Sequence, residues 1–171
     1  MKITKNHVIN TLFWILILAF MVVKSIDHTL NDHYNGVLAA VRDYKFQSQT
    51  RTNFIRSITF KMPVNNQFET MVVSMNQSLF TALDPIEYVT KSHELTQYID
   101  LNRDYLRFAE KDIRQLDIFQ THLKQELLIL SSHANEFNQL LSRFPYNLRA
   151  SSYTIFDVPN ADHIAGVVVE R

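Results

Sequence analysis

The chain has no cysteine, only two glycines (Gly36 and Gly166) and four prolines in 171 residues. Without cysteine there is no disulfide, no thiolate metal site and no thiol nucleophile. Two distant glycines build neither a phosphate-cradling loop nor a dinucleotide fingerprint. Scarce glycine and proline leave few tight turns, which favours a few long helices over many short strands. Net charge is missing too: 17 basic and 17 acidic side chains cancel.

What is present begins with an apolar run. Met1–His7 is polar and carries Lys2 and Lys5; Val8–Val23 then reads VINTLFWILILAFMVV, and Lys24 closes it. Sixteen helical residues span about 24 Å, short of a hydrocarbon core of about 30 Å. Flanking lysines can snorkel and the bilayer can thin to fit. A retained anchor, a cleaved signal peptide and a buried core helix compete for this segment. The adjoining VVKSIDH offers no Ala-x-Ala cleavage pattern, and a chain this small cannot surround a core helix on all sides. The expectation is a single-pass anchor in contact with the lipid bilayer through residues 8–23. Two lysines before it against one just after predict a cytoplasmic N-terminus and an outside domain at the cell (inner) membrane. All acidic residues come after Lys24, so residues 25–171 carry 14 basic and 17 acidic side chains, a net −3. Such a domain has no field to recruit nucleic acid.

The remainder reads as helices. Leu30, Tyr34, Val37, Val41 and Tyr44 are spaced 4, 3, 4 and 3, and the register continues through Ser48 and Arg51 to Ile55 and Ile58. That is a seam with a polar patch in its middle. With no proline before Pro63, this helix can run on from the anchor. A second helix is expected over Gln67–Leu83, with Phe68, Met71, Val72, Met75, Leu79 and Leu83 on one face and Asp84-Pro85 as its breaker. Ile86–Lys91 reads as a loop or single turn, and Ser92 as a helix start. From Ala109 through Ile113, Leu116, Gln120, Leu123, Leu127, Leu130, Ala134, Phe137 and Leu141 to Phe144 the spacing alternates 4 and 3 with Gln120 the one polar member. This predicts a helix of about 40 residues, about 60 Å long, stopped by Pro145. Asp112, Lys111, Lys124, Glu126 and Glu136 fall off the seam, on the solvent side. The tail from Ala150 is read as extended and folded back, with Val167–Val169 as a candidate short strand.

Chemistry is sparse. Seven histidines invite a metal, but His28 and His33 are five apart and no glutamate has a histidine three residues later, as di-iron bundles require. All seven, His93, His122, His133 and His163 included, are read as surface or boundary residues. There is no Gly-x-Ser-x-Gly elbow. Asp100, Asp104, and Asp112 with Arg107 and Arg114, are read as exposed ion pairs. Tyr34, Tyr44 and Arg51 are candidates for a polar network or partner surface. His28, or Tyr34 near Arg51, are the sole places where catalysis would be sought.

The end of the long helix carries a pattern. Glu136, Asn138, Leu141, Phe144, Pro145, Asn147, Leu148 and Ala150 stand as E-x-N-x-x-L-x-x-F-P-x-N-L-x-A, with Phe137 in second place. This resembles the LemA family of membrane-anchored bacterial proteins, whose last long helix closes on E-Y-N-x-x-[IL]-x-x-F-P-x-N-L-x-A. Tyr34-Asn35 with Val37 is similar to its Tyr-Asn-x-x-Val start. Arg51, Asn53, Phe54 and Ile55 resemble its R-x-D-L-I-P-N-L block, with Asn53 for Asp and Arg56 for Pro. Tyr98-Ile99-Asp100-Leu101 stands where the family has Tyr-Pro-Asp-Leu, and the family's A-W-S-x-I-D run is absent. The resemblance implies one transmembrane helix, a charge-balanced helical domain and no defined reaction. At the motif, Pro145 should end the helix, the Asn147 side chain bond the freed backbone, and Phe144 and Leu148 pin the turn to the core.

The expectation is therefore an all-α protein: a stub and anchor over 1–25, an elongated antiparallel bundle of three or four helices over 26–150, and an extended tail over 151–171. Val37, Val41, Ile55, Leu116, Leu123, Leu127, Leu130 and Phe137 should be its core. No enzyme activity, cofactor or metal is expected. The expected function is a membrane-anchored scaffold or adaptor that binds a protein partner or itself, with small-ligand sensing by helix sliding as the alternative.

Overall fold

The computed structural model describes residues 5–61, 63–82 and 84–159. Among them every regular element is helical: α1 (Lys5–Lys61), α2 (Gln67–Ser78), α3 (Pro85–Leu101) and α4 (Glu110–Ser142), with 3-10 turns at Leu79–Thr81, Arg103–Tyr105 and Tyr146–Ser152. The candidate short strand at Val167–Val169 and the seam position Leu83 lie outside the described residues.

α1 is a single helix of 57 residues, about 85 Å long, with no break between its apolar start and its amphipathic remainder. It is the one helix among the described residues long and apolar enough to cross a membrane. Its apolar start faces no other element; Leu16 is 68% exposed and Phe20 63%. From Ile26 onward one stripe turns inward and α4 packs along it antiparallel. All eight expected core residues are buried.

Two apolar cores result. The first, nearer the apolar segment, joins Ile26, Leu30, Val37 and Tyr44 of α1 to Leu127, Leu130, Phe137 and Leu141 of α4, and takes in Phe156 from the tail. The second lies towards the far end of α1 and joins Ile55 to Val72, Leu79, Leu95, Ile99 and Leu116, so that α2 and α3 close that half. Burying each such side chain contributes about 1.5–3 kcal/mol.

Four elements differ from the sequence expectation. Ile86–Lys91 is no loop; it is the first third of α3. Asp84-Pro85 does end the preceding segment, but it also opens the next helix. The Asp84 carboxylate accepts from the backbone N–H of Ile86 (2.7 Å) and Glu87 (3.1 Å), and Pro85 occupies the first helical turn, where its missing N–H costs nothing. Replacing the cap, Asp84→Ala, should cost about 1 kcal/mol in denaturant unfolding followed by circular dichroism.

α2 ends at Ser78 rather than at residue 83, and its inward face is Glu69, Val72 and Asn76. Met71 points outward. Glu69 is buried because its two oxygens tie loops together: one accepts from the Asn65 N–H at 2.9 Å, the other from the Arg107 N–H at 2.7 Å. Asn76 donates to the Thr52 carbonyl at 3.2 Å.

α4 is a single helix of 33 residues, shorter than expected, and stops at Ser142. Phe144 precedes a proline, which disfavours helical φ/ψ for it, so the chain leaves the helix before Phe144 can join the seam. Phe144 is 78% exposed, contrary to its expected core position. Asp112 is buried rather than solvent-facing; it sits in the first turn of α4, where free N–H groups favour a carboxylate. The tail is a 3-10 turn over Tyr146–Ser152 before it becomes extended. Its extended part does fold back: Asn138 accepts from the Phe156 N–H (3.2 Å) and donates to its carbonyl (2.8 Å).

Candidate functional site

Between the two apolar cores lies a polar layer. Ser48 and Arg51 come from α1, Ser92 and Thr96 from α3, Gln120 from α4, and all five are buried. Each occupies a seam position of its own helix, so helical period alone points them inward. The Arg51 guanidinium, with 0% exposure, donates to Thr96 Oγ1 (2.6 Å), Gln120 Oε1 (2.8 Å), and Ser92 Oγ (3.0 Å) and carbonyl (3.1 Å). Gln120 Nε2 donates to the Thr96 carbonyl at 3.1 Å, which fixes its amide orientation. Ser48 and Ser92 share a bond of 2.6 Å, and the Tyr88 hydroxyl donates to Ser48 at 3.2 Å.

The acceptors that hold Arg51 are all neutral, and its Nε has no hydrogen-bond partner. Burial pulls its pKa down to about 10, so it remains charged at neutral pH. Burial also raises the pKa of the neighbouring Tyr44 phenol, which stays neutral. The layer thus holds one cation in a largely apolar interior. It can fix which turn of α1 faces which turn of α4 and α3; it offers no nucleophile paired with a base.

Of the residues that the sequence singles out, Tyr44 and Arg51 do enter this buried region. Tyr34 does not. Its ring packs in the first core against Phe137, Tyr153 and Phe156, with centroids 5.5–5.6 Å apart. Asn53 is exposed, Phe54 packs on Phe119 (5.3 Å), and Ile55 is buried in the second core. Ser92 and Thr96 escape the sequence reading, because a loop is expected just before them. Their signal is the run Val89, Ser92, Thr96, Ile99 at helical spacing with small hydroxyls in the middle.

The C-terminal motif is split. Phe137 is fully buried, Asn138 clamps the tail, and Ala150 packs against the first core. Phe144 and Leu148 do not pin the turn; they are 78% and 69% exposed. The Phe144–Pro145 peptide bond is cis. At Asn147 the backbone N–H, rather than the side chain, closes the turn, donating to the Arg143 carbonyl at 2.9 Å. What fastens the turn is Arg149, whose guanidinium forms a two-pronged pair with the Asp27 carboxylate at 2.9 and 2.8 Å and lowers the Asp27 pKa.

Other expected surface groups also shift. Asp100 pairs with Lys124 (2.7 Å), while Arg114 pairs with Glu110 and Arg103 with Asp117. His28 and Asp32 form an exposed pair at 3.2 Å. His93 is buried, not at the surface, and burial lowers its pKa; His163 lies outside the described residues. Among the described residues no three His, Asp or Glu side chains come together as a metal would require. A cleft of about 320 Å³ opens where α1 meets Leu79–Thr81 and α3, lined by Lys45, Gln49, Thr52, Asn53, Phe80 and Tyr88. Its Lys45 ammonium lies over the Tyr88 ring at 5.2 Å.

Compared with known proteins, the chain matches no family model, no curated protein and no solved structure.

Proposed function

We propose that the chain is a single-pass, membrane-anchored helical scaffold of the LemA-like type. In this reading α1 to α4 form an elongated antiparallel bundle that holds a protein partner, or a second copy of the chain, at a distance from the bilayer. The continuity of α1 carries the reading: one helix supplies both the apolar stretch and half of the buried seam. Residues 9–23 expose apolar side chains on all sides, which water disfavours and a hydrocarbon core accepts. Lys24 and the lysines before the stretch suit the two interfaces and favour a cytoplasmic N-terminus. The LemA-like pattern from Glu136 to Ala150 supports the same assignment.

The partner is placed, in this reading, at the other end. Phe60, near the end of α1, is 91% exposed and Leu101, at the end of α3, is 80% exposed. These two apolar side chains are candidate points of contact for a partner. The reading assigns the chain no catalytic step.

Two measurements test it. After washing membranes with high salt and alkaline carbonate, the chain is expected in the pellet; recovery in the supernatant overturns the anchor. A photo-crosslinking amino acid placed at Phe60 is expected to yield a discrete adduct, identified by mass spectrometry as the chain itself or one other protein. A chain that stays in the pellet but gives no adduct overturns the scaffold while leaving the anchor.

A further inference from the structure

Phe144 and Leu148 are the two residues of the C-terminal pattern whose exposure the packing does not explain. Their height along the molecule does. α4 runs antiparallel to α1, and three contacts set the register. Gln120 meets Arg51, Phe137 meets Tyr34, and Arg149 meets Asp27. Rising numbers in α4 therefore descend α1 towards its apolar stretch. Asp27 stands four residues beyond Val23, about 6 Å along the helix. The headgroup region on each side of a bilayer is about 5–8 Å deep. The turn that contains Phe144 and Leu148 lies at that depth, since its Arg149 grips Asp27. The groups of α1 at the same level are polar, of both signs: Lys24, Asp27, His28 and Asn31 line one open cleft with Tyr153.

We infer that Phe144 and Leu148 form a second membrane contact, a wedge that inserts at the headgroup–acyl boundary of the bilayer beside α1. The inference rests on the anchoring reading above. Two large apolar side chains exposed at headgroup depth, beside polar and charged groups, can bury their surface at that boundary. The exposed Ile155 is not part of it, because Phe156 packs beside Tyr34, eleven residues above Val23. Two inserted points, α1 and the wedge, would fix how the domain is rotated about the helix axis, which one anchor cannot do.

The chain's single tryptophan, Trp14, makes the test direct. The full chain is reconstituted into phosphatidylcholine vesicles brominated either near the headgroup or near the chain ends. Wild type reports on the anchor through Trp14. In a Trp14→Phe background, Phe144→Trp and Leu148→Trp report on the wedge, and Phe60→Trp on the far end. All three replaced sites are exposed, and circular dichroism checks that the helices are kept. Bromines near the headgroup should quench Phe144→Trp and Leu148→Trp several-fold more than Phe60→Trp. Deep bromines should quench wild type. Quenched wild type with water-like, unquenched wedge variants would overturn the wedge and leave the anchor. Blue-shifted but unquenched wedge variants would overturn it in favour of a protein cover, such as a second copy. An unquenched wild type would overturn the anchor, and the wedge with it.

Discussion

Replacing Gln120 by leucine should destabilise the domain by about 2–4 kcal/mol, while Arg51→Met combined with Gln120→Leu should stabilise it by about 1–4 kcal/mol. The opposite signs come from the charge of the polar layer. Arg51 is held by neutral acceptors, and burial depresses its pKa to about 10. That depression corresponds to about 3 kcal/mol against the charged form inside the protein. Gln120→Leu removes the acceptor at 2.8 Å but leaves the guanidinium buried, so the penalty grows. The double substitution removes the guanidinium with its acceptor and substitutes apolar groups of similar volume. Ser92 and Thr96 remain satisfied, because the Thr96 hydroxyl already donates to the Ser92 carbonyl at 2.9 Å and Ser92 shares a bond with Ser48. Denaturant unfolding in detergent, followed by circular dichroism, reads both values. A double variant less stable than wild type would show that the layer contributes net stability and not register alone.

Phe137→Ala should cost about 3–5 kcal/mol, and Phe144→Ala less than about 0.5 kcal/mol in the same detergent assay. The two phenylalanines are seven residues apart in one seam pattern, yet their surroundings are unlike. Phe137 is fully buried, with the rings of Tyr34, Tyr153 and Phe156 at 5.6–5.8 Å. Its loss opens a cavity under the tail, so limited proteolysis should cut residues 153–159 sooner in this variant. Phe144 is 78% exposed, so its loss removes little packing within the protein. Equal losses for both would place Phe144 in the core, as its spacing alone suggests.

The helical seams are legible in the sequence because burial obeys period. Leu116, Leu123, Leu127 and Leu130 face inward wherever α4 is a helix, and helical spacing shows that without coordinates. The same rule fails at Phe144, because spacing says nothing about where a helix stops; Pro145 in the next position does. It fails differently at Asp84-Pro85, where a helix-breaking pair is also a helix-starting pair, and the sense depends on whether the residues after the proline can form a helix. Buried polar residues are the hardest to read. Ser48, Arg51 and Gln120 are visible as gaps in two apolar stripes, but their convergence depends on the register between α1 and α4, which no single-helix pattern contains. Glu69 and Asp112 escape because charge alone places such residues in solvent, whereas Glu69 accepts from two backbone N–H groups and Asp112 is buried in the first turn of α4. At the candidate site the sequence therefore points to Tyr44 and Arg51, marks Gln120 only as the polar member of an apolar seam, and misses Ser92, Thr96 and the Arg149 clasp on Asp27.

Because α1 crosses from its apolar start to Lys61 with no hinge, any lean of its first third becomes a sweep of its last. Phe60 lies 37 residues beyond Val23, about 55 Å along the axis. If residues 8–23 span a bilayer as proposed, a tilt of about 20° would carry it sideways by about 19 Å. Whatever holds the proposed span at its angle, its flanking lysines above all, would then steer where the tip can reach, much as the angle of a mast sets where its pennant flies.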